Sequence, residues 1–537
     1  MLNGTKTASG VPILSNDPHI AFSNPSFWYE AHIDTPEFKI YGHYLPGVPF
    51  AGLGHDYNRA WGITMSEMDD IDVYIEKINP NNPRQVMYEN KWVDLTIKKE
   101  IIKIKGKDDL AIDVLSTPHG PIINGTNHEQ PEHVLSVKWA YYHPQNDIVT
   151  AFYKLNYSKQ MSDLQDALKH AAAPGFNVLW ADKSGNIGWH MMGKVPVRPE
   201  GVSGSFPLEG WHGRHEYERY LSIDENPHLY NPKKGFIASA NYYPEVDLGF
   251  NFDGYWQPVE RYQRLNEILE SKRDWNVDSL KKIFMDDLVV SAKEVLPIIT
   301  STVIPKNDSE KMALDYLKKW DQRCPKESVA CSLYNYFSRM LMREILVDEF
   351  GEKRYLSYSK VADYWHFYKS VIKNDKSIWW DNVKTKKVEQ SSEVINIAFS
   401  KTIKNLTERL GTDISSWNWG KIHQVTYKHI FGNKFPFDSL FNLGPYPAPG
   451  GYCQVNNMAS ARGSEDFDVR SGPSTRRIID FNQPENALGI LPTGNSGNIF
   501  SRQYRNQAEQ FLNGDFRKQS MDLKWVANNI TGQIYIY

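Results

Sequence analysis

Two short clusters carry residue types that could do chemistry unaided. Trp211-His212-Gly213-Arg214-His215-Glu216 gathers two imidazoles and a carboxylate, donors that suit a transition metal. A metal-binding helix would need both histidines on one face, and Gly213 with its turn-forming neighbours argues against a helix there. Met68-Asp69-Asp70-Ile71-Asp72 crowds three carboxylates just ahead of a strand. Such density either faces water or holds a hard cation such as calcium, which takes carboxylate and backbone oxygens. The residues alone leave both readings open. No Gly-X-Ser-X-Gly elbow and no phosphate-binding glycine loop is present. Gly472-Pro473-Ser474 and Gly494-Asn495-Ser496-Gly497 have the chemistry of turns.

The elements that would position these groups change in character along the chain. The first half reads as strands and turns. Phe38-Lys39-Ile40-Tyr41-Gly42-His43-Tyr44 and Asp72-Val73-Tyr74-Ile75-Glu76-Lys77-Ile78 alternate polar and apolar positions, and Lys98 to Lys105 and Ala111 to Leu115 read as further strands. Asp182-Lys183-Ser184-Gly185-Asn186 is a hairpin signal between Val178-Leu179-Trp180 and Ile187-Gly188-Trp189. From Arg261 to about Phe350, and again from about Asn396 to Leu410, apolar residues recur at helical spacing. After Trp417 short strands and Gly/Pro-rich turns return. This order predicts one intertwined unit, with a β-rich core from residues 1–260 and 417–537 and a mainly helical insertion over 261–416.

Bulk properties exclude several classes. The 61 basic and 64 acidic residues leave a net charge of -3 with no long basic run, so nucleic-acid binding has no support. No apolar run approaches the ~20 residues of a membrane span, and Met1-Leu2-Asn3-Gly4-Thr5-Lys6 has no signal-peptide core. The 41% apolar and 23% charged residues place the chain among soluble globular proteins. The 16 Trp and 30 Tyr are spread throughout, which reads as an aromatic-packed core rather than a sugar-binding surface. Cys324 and Cys331 could pair in an oxidising compartment, although buried free thiols are the commoner state. With Cys453 they match no zinc pattern.

Several segments in order resemble the penicillin acylase family of N-terminal nucleophile hydrolases. They are Gly4-Thr5-Lys6-Thr7-Ala8-Ser9-Gly10 with Leu14-Ser15-Asn16-Asp17-Pro18-His19, then Trp61-Gly62-Ile63-Thr64 and Asp69-Asp70-Ile71-Asp72. Ala181 to Gly188 and Ile237-Ala238-Ser239-Ala240-Asn241 follow, and Ser471-Gly472-Pro473-Ser474 and Leu491 to Asn498 close the series. The resemblance implies an α+β fold, the four-layer αββα sandwich, and hydrolysis of an acyl amide to acid and amine. It implies a precursor cut autocatalytically into a small and a large chain. The large chain then begins with a Ser, Cys or Thr whose own α-amine is the general base. This sequence opens instead with Met1-Leu2, so the nucleophile is expected a few residues upstream. The rival expectation is a non-catalytic binding relative that has lost it.

The resemblance assigns further positions. Asn241 matches the side-chain donor of the oxyanion hole, and Met65 or Ser66 the backbone donor. His19 falls beside the nucleophile, and Arg261 where an arginine supports the site. Each also has an ordinary reading, as a turn Asn, a structural His or an ion-paired Arg. Ile20, Leu53, Ile63 and Phe176 correspond to the acyl pocket, or to plain core. Asp69, the Ile71 carbonyl, Asp72 and, more loosely, Asp253 correspond to ligands of a structural calcium ion, Ca2+. No organic cofactor is implied. The small subunit is the expected partner, a small-molecule amide the substrate, and family precedent places such enzymes in the periplasm or outside the cell.

Overall fold

The strand Arg59–Met65 (β6) is buried on both faces through Ile63, and so is its neighbour Phe176–Asp182. Strands covered on both sides belong to inner layers of a stacked fold. The computed structural model describes residues 1–124, 133–244, 252–361, 363–463 and 465–535. Its largest sheet has seven strands in the order His228–Tyr230, Ile187–Met192, Phe176–Asp182, β6, Ala51–His55 (β5), Lys39–Tyr44 (β4) and Tyr29–Asp34 (β3), all antiparallel. Facing it are two ladders built from both ends of the chain. Ile13–Asn16 (β1) pairs with Arg476–Asp480, and His19–Ala21 (β2) pairs with Val469–Pro473. Only Asp17 and Pro18 separate β1 from β2, so the ladders continue one another.

Leu14 and Ile479 pack between the sheets against Ala60, Leu179 and Ala181. The layers approach closely at Gly62, where a Cβ would lie 2.6 Å from Asn16 Oδ1. On the outer face of the large sheet, helices Ile148–Tyr157 (α1) and Asp163–Leu168 (α2) lay Leu155 and Leu164 on Trp61 and Trp180. On the opposite outer face, Glu260–Glu270 (α3) and Val277–Phe284 (α4) set Leu269, Leu280 and Phe284 against Ile13 and Ile478. The result is α/β/β/α.

Two expectations are corrected. The first half holds α1 and α2 as well as strands. The helical block from α3 to Ser391–Leu410 is only partly an insertion, because α3 and α4 form an outer layer of the sandwich. The helices that follow them pack around a separate core that includes Leu333, Phe337, Leu341, Phe399 and Leu406. Cys324 and Cys331 are joined there as a disulfide, which settles the pairing that the sequence left open; Cys453 is free and buried. No helix among the described residues is long and apolar enough to cross a membrane.

Two fully buried histidines predict acid sensitivity. Burial pushes His423 down to about 3 and His190 down to about 4. A depressed folded-state value means that both imidazoles are neutral in both states above the unfolded value near ~6.5. Stability falls as the unfolded chain alone takes up protons below that pH. Each imidazole therefore removes on the order of 3 kcal/mol as pH drops from about 6.5 to 4. Denaturant melts should show a falling midpoint across that window, and His423→Gln should flatten the fall.

Candidate active site

Arg261 enters the interior from the first turn of α3, and its guanidinium is buried with neutral partners. Nη1 lies 3.0 Å from His19 Nδ1, while Nη2 donates to the Ala240 carbonyl (2.9 Å) and to Asn241 Oδ1 (2.8 Å). A guanidinium has no acceptor. His19 Nδ1 must therefore be unprotonated, which leaves the ring proton on Nε2, 3.3 Å from the Asp17 carboxylate. Burial lowers the His19 imidazole, and Asp17 opposes that shift. The neutral Nε2–H form is thus the resting state at neutral pH.

The same guanidinium fixes the Asn241 amide. With Oδ1 taken by Arg261, Nδ2 points the other way and donates to the Met65 carbonyl at 2.8 Å. Asn241 sits at φ 59°, in the left-handed region that Asn tolerates better than most residues. Its own carbonyl accepts from Gln257 N–H.

The two candidate backbone donors are not equivalent. Ser66 N–H donates to the Gly175 carbonyl at 3.2 Å and is used. Successive N–H groups of an antiparallel strand alternate in direction, so Met65 N–H points to the other edge of β6. The neighbouring strand β5 pairs with β6 only through Gly54–Trp61 and His55–Ala60 and leaves that edge open near Met65. Met65 N–H and the Asn241 amide therefore converge on one side, and Ser66 does not join them. Thr64 and Ser239 add a hydroxyl pair 3.2 Å apart, with Asn177 Nδ2 donating to Thr64 Oγ1.

A cavity of about 420 Å³ opens from this cluster. Its polar lining consists of Asp17, His19, Thr64, Ser239, Asn241 and Arg261, and the rest is apolar. Ile20, Ile63 and Phe176 line it. Leu53 does not: it is fully buried in the core beneath, and Gly52, one position earlier with the opposite facing, borders the cavity. The alternation of a strand makes a slip of one residue a change of side. Phe27, Trp28, Phe50, Ile148 and Phe152 complete the walls and are absent from the sequence-based set. The aromatic pair Phe27-Trp28 was visible in the sequence, but its loop gives no sign of where it folds.

A second, narrow cavity of about 100 Å³ runs between Ser15, Asn16, Asp17 and His19 on one side and Ile237 to Ala240 on the other. Met1 closes one end. Its amine donates to the Ile237 carbonyl at 2.8 Å, and Leu2 bridges both Ile13 and Phe236.

The acidic turn is built differently from a calcium site. Asp69, Asp72 and Asp253 do come together, beside the start of Ile71–Glu76 (β7), but around the guanidinium of Arg198. Both Asp72 oxygens and Asp69 Oδ2 accept from it at 2.9–3.0 Å, and Asp253 Oδ2 accepts from Gly204 N–H at 2.8 Å. Calcium needs such oxygens at 2.3–2.6 Å, free of a competing cation. Among the described residues no cluster of His, Cys, Asp and Glu has the arrangement of a metal site. Engaged in this way, the carboxylates of Asp69, Asp72 and Asp253 do not fit the ion. Arg198 was not foreseen, because a contact over 126 positions leaves no local trace. His212 and His215 turn to Glu209, and Glu216 turns to His119 and Lys138.

The family described as penicillin amidase matches this chain over residues 1–527. The chain belongs to that family. It is 26% identical to the acyl-homoserine lactone acylase QuiP of Pseudomonas aeruginosa, over 96% of this chain and 66% of that protein. The penicillin acylase 2 proenzyme of Pseudomonas sp. SE83 is also 26% identical, over 94% of this chain and 64% of its own length. The chain thus spans just under two thirds of these relatives. A thermostable penicillin G acylase from Alcaligenes faecalis superposes with a TM-score of 0.73 at 18% identity, covering 100% of this chain and 98% of that one. The fold is that of the N-terminal nucleophile hydrolases, α+β as the sequence implied.

Proposed function

We propose that this chain is the large subunit of an amide hydrolase, an acylase that cleaves a small acyl amide to acid and amine. Its nucleophile is a Ser at the start of a segment just upstream of Met1. The observation that carries this reading is the register of the narrow cavity. Met1 pairs with Ile237, and antiparallel pairing advances one residue on each strand per step. A chain continued backwards from Met1 runs along Ala238, Ser239 and Ala240 and reaches Asn241 about four residues upstream. On its other flank it meets Asp17 and His19.

A hydroxyl there attacks the amide carbonyl carbon and passes its proton to the chain's own α-amine. An α-amine has an ordinary pKa near ~7.7, so it is partly unprotonated at neutral pH and can accept that proton. The oxyanion forms against Asn241 Nδ2 and Met65 N–H. The C–N bond then breaks, the departing amine takes the proton, and water hydrolyses the remaining ester to release the acid. His19 orients the hydroxyl, and Arg261 holds His19 and Asn241 in place. No metal takes part in these steps.

The partner is the small chain of the same precursor, packing over the cavity mouth. Phe27, Leu45, Val48, Met65 and Val149 leave apolar surface exposed there. The relatives' extra length leaves room for such a chain. A periplasmic or extracellular setting is supported by the Cys324–Cys331 disulfide, since such bonds persist in oxidising compartments.

The test is to express the full upstream reading frame and determine the N-terminus of the large chain by mass spectrometry. A Ser start, with turnover that vanishes on its replacement by Ala, is the expected result. A stable large chain starting at Met1 without turnover would instead favour a binding relative. Because the acyl cavity is apolar away from the site, a series of acyl amides should separate sharply. Phenylacetyl and fatty-acyl amides should exceed the glutaryl analogue by about 10²-fold or more in kcat/KM, the consequence of burying an unpaired carboxylate.

A further inference from the structure

The loop carrying Arg198 brings a cation into the acidic turn from far away in sequence. Its fork is bidentate on Asp72, with Nε to Oδ2 and Nη2 to Oδ1 each at 3.0 Å, and Nη2 also meets Asp69 Oδ2 at 2.9 Å. Nη1 lies 3.8 Å from Asp253 Oδ2. The Arg198, Asp69 and Asp72 side chains are 5%, 4% and 0% exposed. The Tyr217 ring lies 5.5 Å from the guanidinium. Gly204 closes the remaining side so tightly that a Cβ there would fall 2.1 Å from Asp69 Oδ2, 2.5 Å from Asp72 Oδ1 and 2.6 Å from Arg198 Nη2. Shape, charge and hydrogen-bonding capacity are thus all met by the guanidinium.

We propose that Arg198 is the built-in counter-ion of this acidic cage, doing with a side chain what a bound calcium ion would do, so that the protein is metal-independent here. Two physical points support it. A buried carboxylate needs a partner, and planar Arg is the side chain whose geometry fits two carboxylates at once. A dication could use the same oxygens only by sitting within a few ångströms of the guanidinium, where like charges repel strongly in a dry interior.

The cage also ties three separate stretches together. Asp69 and Asp72 flank the turn that follows Met65, Arg198 follows the strand Pro196–Val197, and Asp253 lies beyond Asn241. Asp69 N–H donates to the Asp253 carbonyl at 2.9 Å, and Met68 bridges Gly254. The cation thereby holds the segments bearing Met65 and Asn241 against each other. The inference stands apart from the acylase reading, because it concerns stability and metal content.

The experiment measures bound metal by elemental mass spectrometry and Tm by calorimetry, on protein from the full reading frame, with EDTA, with CaCl2 and with neither. The wild-type protein is expected to contain no stoichiometric calcium and to show the same Tm in all three. Arg198→Ala is expected to lose at least about 5 °C in Tm through the stranded carboxylates. CaCl2 should restore part of that loss, because the emptied cage then offers oxygens to a cation. Should Arg198→Ala fail to fold, Arg198→Gln removes the charge while keeping much of the side chain's volume and should show a smaller Tm loss with the same calcium response. Stoichiometric calcium in the wild-type protein, or a Tm lowered by EDTA, would overturn the proposal. So would an Arg198 variant whose Tm neither falls nor answers to calcium.

Discussion

Asn241→Gly should lower kcat by about 10²–10³-fold while Tm stays within a few degrees, the size of effect seen when one oxyanion donor is removed. Glycine is the informative replacement because Asn241 holds φ 59°, a conformation that glycine adopts freely and alanine does not. What is lost is the Nδ2 donor beside Met65 and the Oδ1 acceptor for Arg261. Neither carries a large share of the fold, since Arg261 keeps the Ala240 carbonyl and His19. Steady-state kinetics and a thermal melt on the same preparation check this, with the large-chain N-terminus verified first. An unchanged kcat would remove Asn241 from the mechanism.

Arg261→Met should separate stability from activity still more clearly. Its guanidinium is a buried cation with only neutral hydrogen-bond partners, and burial lowers its pKa. Removing such a charge relieves desolvation while costing hydrogen bonds, so the net change in stability is small. Activity should fall by about 10²-fold, because the Asn241 amide loses the bond that fixes its orientation and His19 loses the donor that fixes its tautomer. The pH profile gives a second readout. Burial is the main cause that depresses His19, and Arg261 adds to it. Without that cation the imidazole protonates at higher pH, so the acid limb of kcat/KM should move upward. A Tm collapse with no shift of the acid limb would mean that Arg261 serves packing alone.

Strand and helix identity was legible where periodicity or turn chemistry is local. Asp182 accepts from the N–H groups of Ser184 and Asn186 and turns the hairpin that its sequence announces. Lys98 and its alternating neighbours form the exposed strand Thr96–Ile102. Helix α1 was missed because Ile148–Tyr157 is short and lies among strand-like segments, and its place is set by packing on β5 and β6.

At the site, family resemblance supplied His19, Asn241 and Arg261, and the fold brings these together around one guanidinium. The sequence by itself determined membership of the penicillin amidase family, the alternation of the strands, the helical content of the middle and the apolar character of Ile20, Ile63 and Phe176. Facing and partnership were decided by tertiary structure. A one-residue register separates Gly52 at the cavity wall from Leu53 in the core. The same alternation gives Met65 N–H to the site and Ser66 N–H to Gly175. The acidic turn spelled out carboxylates and was silent about their counter-ion, because Arg198 lies 126 positions further along the chain. Charge partners of this kind are chosen by distance in space, and no local pattern in a sequence encodes that distance.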